Sequence, residues 1–357
     1  NDAVSGGTTF YGSRDHGVLT AAYGQLRWTP GRWIVEPGVR VDDWRAKAGT
    51  HTVVEPRMAV KLFVDSARDA AVKLSAGRYA QFVHSLRDES LPVSNDTWVA
   101  AGRDVPPTVS DQVHLGYEKY WGQRWYASLE GYFHHFRGVT DFNVADDPNT
   151  TADDILSGTG RSFGLDFLLR RTGQRATGWA TVSLLRARRT FPDPTAQDIE
   201  GVPKTVTYPP VFDRAVDVNL VAEYRLAHGM EFGARWTYGS GVPYSRPVGS
   251  TMVWETNLFG GGYRTPLPTS DDPDLPTWIV PGQRNAQRYP AYHRLDLTLR
   301  RPTKRRWGTF TPYVQVLNAY NRRNVLFYFY RYDRNPPTRS GVSMFPVLPA
   351  IGVEGSF

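Results

Sequence analysis

In the stretch HRLDLTLRR, every second residue is apolar: Leu295, Leu297 and Leu299 share one parity, while Arg294, Asp296, Thr298 and Arg300 share the other. This is the two-residue period of a strand with one greasy and one charged face. The pattern recurs in RSFGLDFLLR, with Phe163, Leu165, Phe167 and Leu169 on one parity, and in RAVDVNLVAEYRL, with Val216, Val218, Leu220 and Ala222. A one-residue slip would send arginines to the greasy side, so the register of each segment is fixed by its own pattern. The chain's last residues, PAIGVEGSF, alternate in the same way, with Ile351, Val353 and Phe357 on one parity.

The connections between these segments alternate in length. Short ones are TPGR at Thr29, DSARD at Asp65, WGQR at Trp121, RTGQR at Arg171, LAHG at Leu226 and PTKRRW at Pro302. Long polar ones run from Ser85 to Thr108, Asp141 to Thr159, Thr190 to Phe212, Val242 to Tyr289 and Arg322 to Leu348, and the Arg45–Thr52 connection is brief among this second set. Short-long alternation over about 13 strands fits an up-and-down meander with two unlike ends, and membrane barrels have short periplasmic turns and long extracellular loops. Greek-key crossovers would break that parity.

Composition excludes several classes. With 40% hydrophobic residues and a mean hydropathy of −0.45, the chain has no run able to cross a bilayer as a helix. Aromatics make up 13% of it, and 33 Gly and 26 Pro favour strands and turns. Aromatics gather beside the short turns (Trp28, Trp33, Tyr120, Trp121, Trp125, Tyr126, Trp307, Phe310), where a headgroup girdle belongs. There is no cysteine, so disulfides and thiolate metal sites are out. The net charge of +7 is scattered rather than striped, which argues against nucleic acid. The first residues, NDAVSGGTTFYG, have neither a basic nor an apolar signal-peptide region, so the chain is expected to be mature or a fragment.

The segment from Tyr289 onward, with YPAYHRLDLTLRR, TFTPYVQVLNAYNRRNVLFYFY and PVLPAIGVEGSF, resembles the C-terminal end of TonB-dependent outer-membrane receptors, specifically the group with a carboxypeptidase-regulatory-like domain. AAYGQLRWTPGRWIVEPGVRVDDW and YGSGVPYSRPVG are similar to that family's mid-barrel hairpin and to the lead into a late loop. The resemblance implies an all-β fold, an antiparallel up-and-down transmembrane β-barrel in the bacterial outer membrane. The whole chain, 1–357, would supply about 13 C-terminal strands of a 22-stranded barrel whose plug is absent here. It implies energy-coupled uptake of a scarce or bulky ligand such as a siderophore, oligosaccharide or peptide. The implied partners are outer-membrane lipid, a small ligand, the TonB system acting through the missing N-terminal part, and the barrel-assembly machinery, for which Phe357 resembles the terminal recognition residue.

No catalytic, cofactor or metal site is expected. SGTGRSFG and FGGGYR do not open helices as phosphate loops do. His134 and His135 are successive in a strand and point to opposite faces, so they cannot chelate one metal together. The acidic loops VADDPNTTADD and SDDPDLP lack calcium-loop spacing. Glu130, Tyr132, His134, Arg294 and Asp296 are the candidate lumen- and ligand-facing residues, with His134 read mainly as hydrogen-bonded to a lumen neighbour. Phe327, Tyr328 and Tyr330 are candidate outer-mouth aromatics, or else an upper girdle continuing a strand. Competing readings are a passive outer-membrane pore, an outer-membrane hydrolase at the barrel rim, and a soluble β-sandwich binding module.

Overall fold

A computed structural model describes residues 2–5, 8–12, 16–86, 96–143, 154–197, 203–252, 255–256, 263–264, 277–331 and 338–356. Phe357, the whole of SDDPDLP, all of VADDPNTTADD except Asp154, and residues 259–262 lie outside the described residues. One antiparallel sheet of 15 strands dominates. Two of its strands are short pieces (Pro203–Tyr208 and Thr303–Arg305), and the other thirteen run as a continuous meander: β1 (Gly17–Gln25), β2 (Trp33–Ala46), β3 (Gly49–Phe63), β4 (Ala70–Gln81), β5 (Thr108–Trp121), β6 (Trp125–Phe142), β7 (Ile155–Arg171), β8 (Ala176–Gln197), β9 (Val216–Arg225), β10 (Glu231–Gly239), β11 (Tyr292–Arg300), β12 (Gly308–Leu317) and β13 (Leu348–Ser356). Each pairs with the next, as an up-and-down wall requires. All six short connections expected from the sequence are the hairpin turns at one end of that wall. Among the described residues β1 and β13 each pair on one side only, so the wall has two free edges.

Cross-strand register makes the two faces explicit. Val60, Leu74, Leu115, Gly131, Leu165, Leu184 and Val216 lie opposite one another in sequence across β3 to β9. One residue along each strand, the neighbouring row reads Lys61, Lys73, Gly116, Glu130, Asp166, Ser183 and Asp217. The apolar row is the exposed one: Leu115 is 59% exposed and Leu165 48%. Leu299 is exposed too, Leu295 and Leu297 are partly so, and their neighbour Asp296 on the other face is buried. A water-soluble sheet would invert this order; a wall whose outer face touches hydrocarbon requires it.

Aromatics and basic residues crowd the short-turn end of that outer face. Trp28, Trp33, Trp121, Trp125 and Trp307 are all at least 40% exposed. Lys119 lies over Trp121 at 5.5 Å, and Arg171 over Trp125 at 5.7 Å. Amphipathic rings and long cationic chains favour the headgroup layer, where apolar stems and polar tips are both satisfied.

The buried apolar core lies at the opposite end rather than between two sheets. The strands Val83–Leu86 and Thr97–Ala100 pair as a hairpin that overlaps the long connection expected at Ser85–Thr108 and starts two residues before it. Trp44 of β2 stacks on Phe82 at 5.7 Å and donates its indole N–H to the Ala101 carbonyl at 2.9 Å. Leu86, Val99, Val105 and Ile155 form a second cluster beside it. Within this cap His84 is 4% exposed; its Nδ1 lies 3.3 Å from Thr108 Oγ1, and its Nε2 has no partner. Burial holds the His84 imidazole below the usual histidine range. The unfolded state therefore binds the proton more readily. Stability from neutral His84 is fully present above about pH 6.5 and is lost as pH falls below it toward the depressed folded value. Amide exchange at Val99 and Ala101, corrected for intrinsic rate, should be less protected at pH 5 than at pH 7.5, and His84→Gln should flatten that difference. Equal protection at both pH values would contradict this assignment.

Several strands extend further than the sequence indicated. β7 begins at Ile155 and β8 continues to Gln197, both inside expected loops. The excess of β8 is paired with Pro203–Tyr208, so these strands rise above the wall as a hairpin that satisfies its own backbone. A bulge at Gly138, at φ +70°, absorbs a register shift in β6, and its carbonyl accepts from the Thr108 hydroxyl at 2.7 Å. The aromatic run VLFYFY does not continue a wall strand: Val325–Arg331 pairs with Thr338–Ser343 in a separate hairpin.

Three asparagines steer the chain into that hairpin. Asn318 follows β12 at φ +54°, where its side-chain oxygen accepts from the Arg322 amide and its amide group donates to the Arg322 and Phe345 carbonyls. Asn321, at φ +53°, accepts from the Val347 amide. Asn324 accepts from the His293 amide at 3.1 Å and donates to the His293 carbonyl at 2.9 Å, standing in for the strand partner that β11 has lost.

Candidate ligand-facing site

Alternation along β6 and its neighbours puts Glu130, Tyr132 and His134 on the inner face. The structure brings them together with His114 of β5 and Ser162 of β7. Glu130 Oε1 is 3.2 Å from His114 Nδ1, the two histidine Nε2 atoms are 3.1 Å apart, and Ser162 Oγ is 3.4 Å from His134 Nδ1. One imidazole therefore donates to the other in a chain that crosses three strands. Tyr132 stacks on His134 at 5.1 Å. Its hydroxyl lies over Gly164, where any Cβ would collide with it. His135 points to the opposite face, as its place next to His134 demands.

Arg294 and Asp296 lie on the inner face of β11 and pair with each other at 2.8 Å. Asp296 also accepts from the Asn318 amide at 2.9 Å, which ties the charged face to the turn above it. Other inner charges are paired in the same way. Glu118 holds Lys61 and Lys73 and accepts from the Tyr126 hydroxyl. Glu55 pairs with Arg57, Asp42 with Arg40, and Glu231 with Arg300. Much of the inner face is thus lined by compensated pairs rather than by a field of one sign.

At the outer mouth the sequence-selected aromatics divide. Tyr328 and Tyr330 join a cluster with Tyr244 and Tyr289. Tyr289 stacks on Tyr328 at 5.2 Å and meets Tyr244 at 4.4 Å, and the Tyr330 hydroxyl is 3.3 Å from that of Tyr244. Arg339 donates to the Tyr244 hydroxyl at 3.2 Å and lies 4.2 Å over the Tyr328 ring. Burial, and then the Tyr244 hydroxyl, push Tyr330 far above the ordinary phenol range, so it is a neutral donor. Phe327 instead meets Phe329 edge to face at 5.0 Å, and Phe329 is 56% exposed. The result is a set of phenol donors, a planar cation and exposed rings, suited to a ring-bearing, acceptor-rich ligand.

Sequence reasoning missed His114, Tyr244, Tyr289 and Arg339. Tyr244 and Arg339 are 95 positions apart, and no local period links them. The loop beneath the cluster is pinned by buried charge: Asp213, 1% exposed, accepts from the Ala187 amide and from Arg288, and Arg284 pairs with Asp141 at 2.7 Å.

Solved structures of the same shape are outer-membrane receptors and transporters. The ferripyoverdine receptor of the outer membrane of Pseudomonas aeruginosa, bound to ferripyoverdine, superposes with a TM-score of 0.58 at 12% identity, covering 97% of this chain and 39% of that one. The FrpB iron transporter from Neisseria meningitidis gives 0.58 at 11% identity, with 96% and 44% covered. The unliganded ferric citrate transporter FecA gives 0.56 at 12%, with 96% and 45% covered. This chain therefore spans less than half the length of these proteins. No curated protein matches by sequence. The family model described as TonB dependent receptor-like, beta-barrel matches residues 1–322. Together with a wall that is greasy outside, charged inside and turned tightly at one end, that match establishes that the chain belongs to the TonB-dependent receptor β-barrel family of the bacterial outer membrane.

Proposed function

We propose that this chain is the C-terminal part of the wall of an outer-membrane receptor that captures a scarce or bulky ligand at its outer mouth and admits it by TonB-coupled uptake, without catalysis. The two free edges of the sheet support this reading: β1 and β13 offer unpaired backbone that further strands must cover in lipid, where an unsatisfied N–H or C=O is costly. About nine more strands would complete a barrel of roughly 22, the size that holds a plug.

The observation that carries the assignment of the ligand end is the Tyr244–Tyr289–Tyr328–Tyr330–Arg339 cluster with Phe329 exposed beside it. Ferric siderophores, oligosaccharides and peptides all present rings or dense acceptors to such a surface, and the ferripyoverdine-bound relative has the same fold. The inner face, with much of its charge already paired, would form the route rather than the capture site, lined by the half-buried Glu130, Tyr132, His134 and Arg294, with the buried Asp296 holding Arg294 in place.

The test is uptake by cells carrying the full receptor gene, using a panel of labelled ferric siderophores, oligosaccharides and peptides. One class should accumulate in a TonB-dependent manner, and Arg339→Ala with Phe329→Ala should weaken its binding about tenfold or more, since ring and cation contacts contribute roughly 1 kcal/mol each. Uptake that persists without TonB, and scales linearly with concentration, would identify a passive pore instead.

A further inference from the structure

Tracing the outer face upward from the tryptophan girdle leads to a second boundary. Trp121, Trp125 and Arg171 share one rung at the short-turn end, and Asp111, His135 and Arg161 share another ten residues along the same three strands. Ten residues at about 3.3 Å, tilted by roughly 40°, rise about 25 Å, the height of the apolar band on a membrane barrel. The second rung therefore lies at the outer headgroup layer.

That rung is basic. It reads Arg78, Asp111, His135, Arg161 and Arg188 across β4 to β8, with Arg137 two residues above His135 and Arg186 two residues below Arg188. Asp111 is its single carboxylate, shared by Arg78 at 2.7 Å and Arg137 at 2.9 Å. Arg188 is turned toward Asp213 at 3.5 Å. Arg161 and Arg186 are exposed, and among the described residues no carboxylate pairs with either. Arg137, Arg161 and Arg186 thus stand on successive strands as diagonal neighbours, an arrangement of like charges that is unfavourable unless an anion joins it. Directly beneath lie Phe133, Phe163 and Leu184, each more than 40% exposed.

We propose that this patch is a binding site for a phosphorylated glycolipid of the outer leaflet, of the lipid A type. Its phosphates would be held by Arg137, Arg161 and Arg186, and its acyl chains would lie on Phe133, Phe163 and Leu184. Guanidinium forks match phosphate oxygens two by two, and the apolar strip is where the attached chains must pass. The site rests on the placement of the chain in the outer membrane and is independent of what the receptor imports.

The experiment uses the full receptor, extracted from outer membranes in mild detergent, with retained lipid measured by native mass spectrometry. The wild type should hold bis-phosphorylated lipid A, and Arg161→Ala/Arg186→Ala should hold it about thirtyfold more weakly. Asp111→Asn, which removes the competing carboxylate, should tighten binding. Arg175→Ala, at the short-turn end, should leave it unchanged. Retention unaffected by the double substitution would overturn the proposal. Equal binding of dephosphorylated lipid A would do the same, as would equal binding of phosphatidylglycerol or an equal loss with Arg175→Ala.

Discussion

Asn318→Ala is expected to destabilise the assembled receptor by about 3–5 kcal/mol, more than any other single polar truncation at the outer end of the wall. The residue is 2% exposed and makes three side-chain hydrogen bonds, one accepted from the Arg322 amide and two donated to the Arg322 and Phe345 carbonyls. Truncation loses all three bonds at a net of roughly 0.5–1.5 kcal/mol each, since Arg322 and Phe345 are exposed residues whose backbone groups water can partly satisfy. It also forces a Cβ residue without a local hydrogen-bonding side chain to hold φ +54°. Asn318→Gly removes the same hydrogen bonds but not the conformational freedom, so it should be milder than alanine by about 1 kcal/mol. Asn321→Ala, which loses one exposed bond to Val347 and must also hold φ +53°, should cost about 1–2 kcal/mol, less than Asn318→Ala because only one hydrogen bond goes with it. Urea unfolding of the receptor in lipid vesicles measures all three. A loss below about 1 kcal/mol for Asn318→Ala, or alanine and glycine variants of equal stability, would show that the turn is held by something else.

The same turn marks how far the sequence could be read. NAYNRRN was recognisable as a distinctive string, but its work is long-range: Asn324 replaces a strand partner for His293, and Asn318 ties Asp296 to a loop carbonyl at Phe345. Which face each strand shows was legible, because alternation is a local property and arginine on lipid is costly enough to forbid a slip. The parity of Glu130, Tyr132 and His134 followed from it, whereas their partner His114, 20 residues away from His134, required a register that only the folded sheet supplies. The ends of β7 and β8 were misplaced because polar residues that pair above the membrane look like loop when read one strand at a time. The mouth cluster was half visible for a related reason: Tyr328 and Tyr330 stand out as an aromatic run, while Tyr244 and Tyr289 are single rings in a polar loop.

Leu165→Arg tests the premise beneath all of this. Leu165 lies six residues above the Arg171 rung and four below Arg161, near the middle of the apolar band, in a row running from Val60 to Val216 that holds no polar side chain. An arginine there must carry its charge through hydrocarbon or deform the bilayer, at about 2–4 kcal/mol. Ser183 lies one strand away, opposite Asp166 on the inner row, where water and the Asp166 and Asp217 carboxylates are at hand. Ser183→Arg should therefore change stability by no more than about 0.5 kcal/mol. The two substitutions introduce the same side chain one strand spacing apart, so the difference between them reports chiefly the medium on each side. Folding into vesicles, followed by the denaturant midpoint, should separate the pair by about 2 kcal/mol or more. Should both variants unfold together, or Ser183→Arg prove the weaker, Leu165 would be packed against protein, and the assignment of lipid to this face would fail along with the outer-leaflet site built on it.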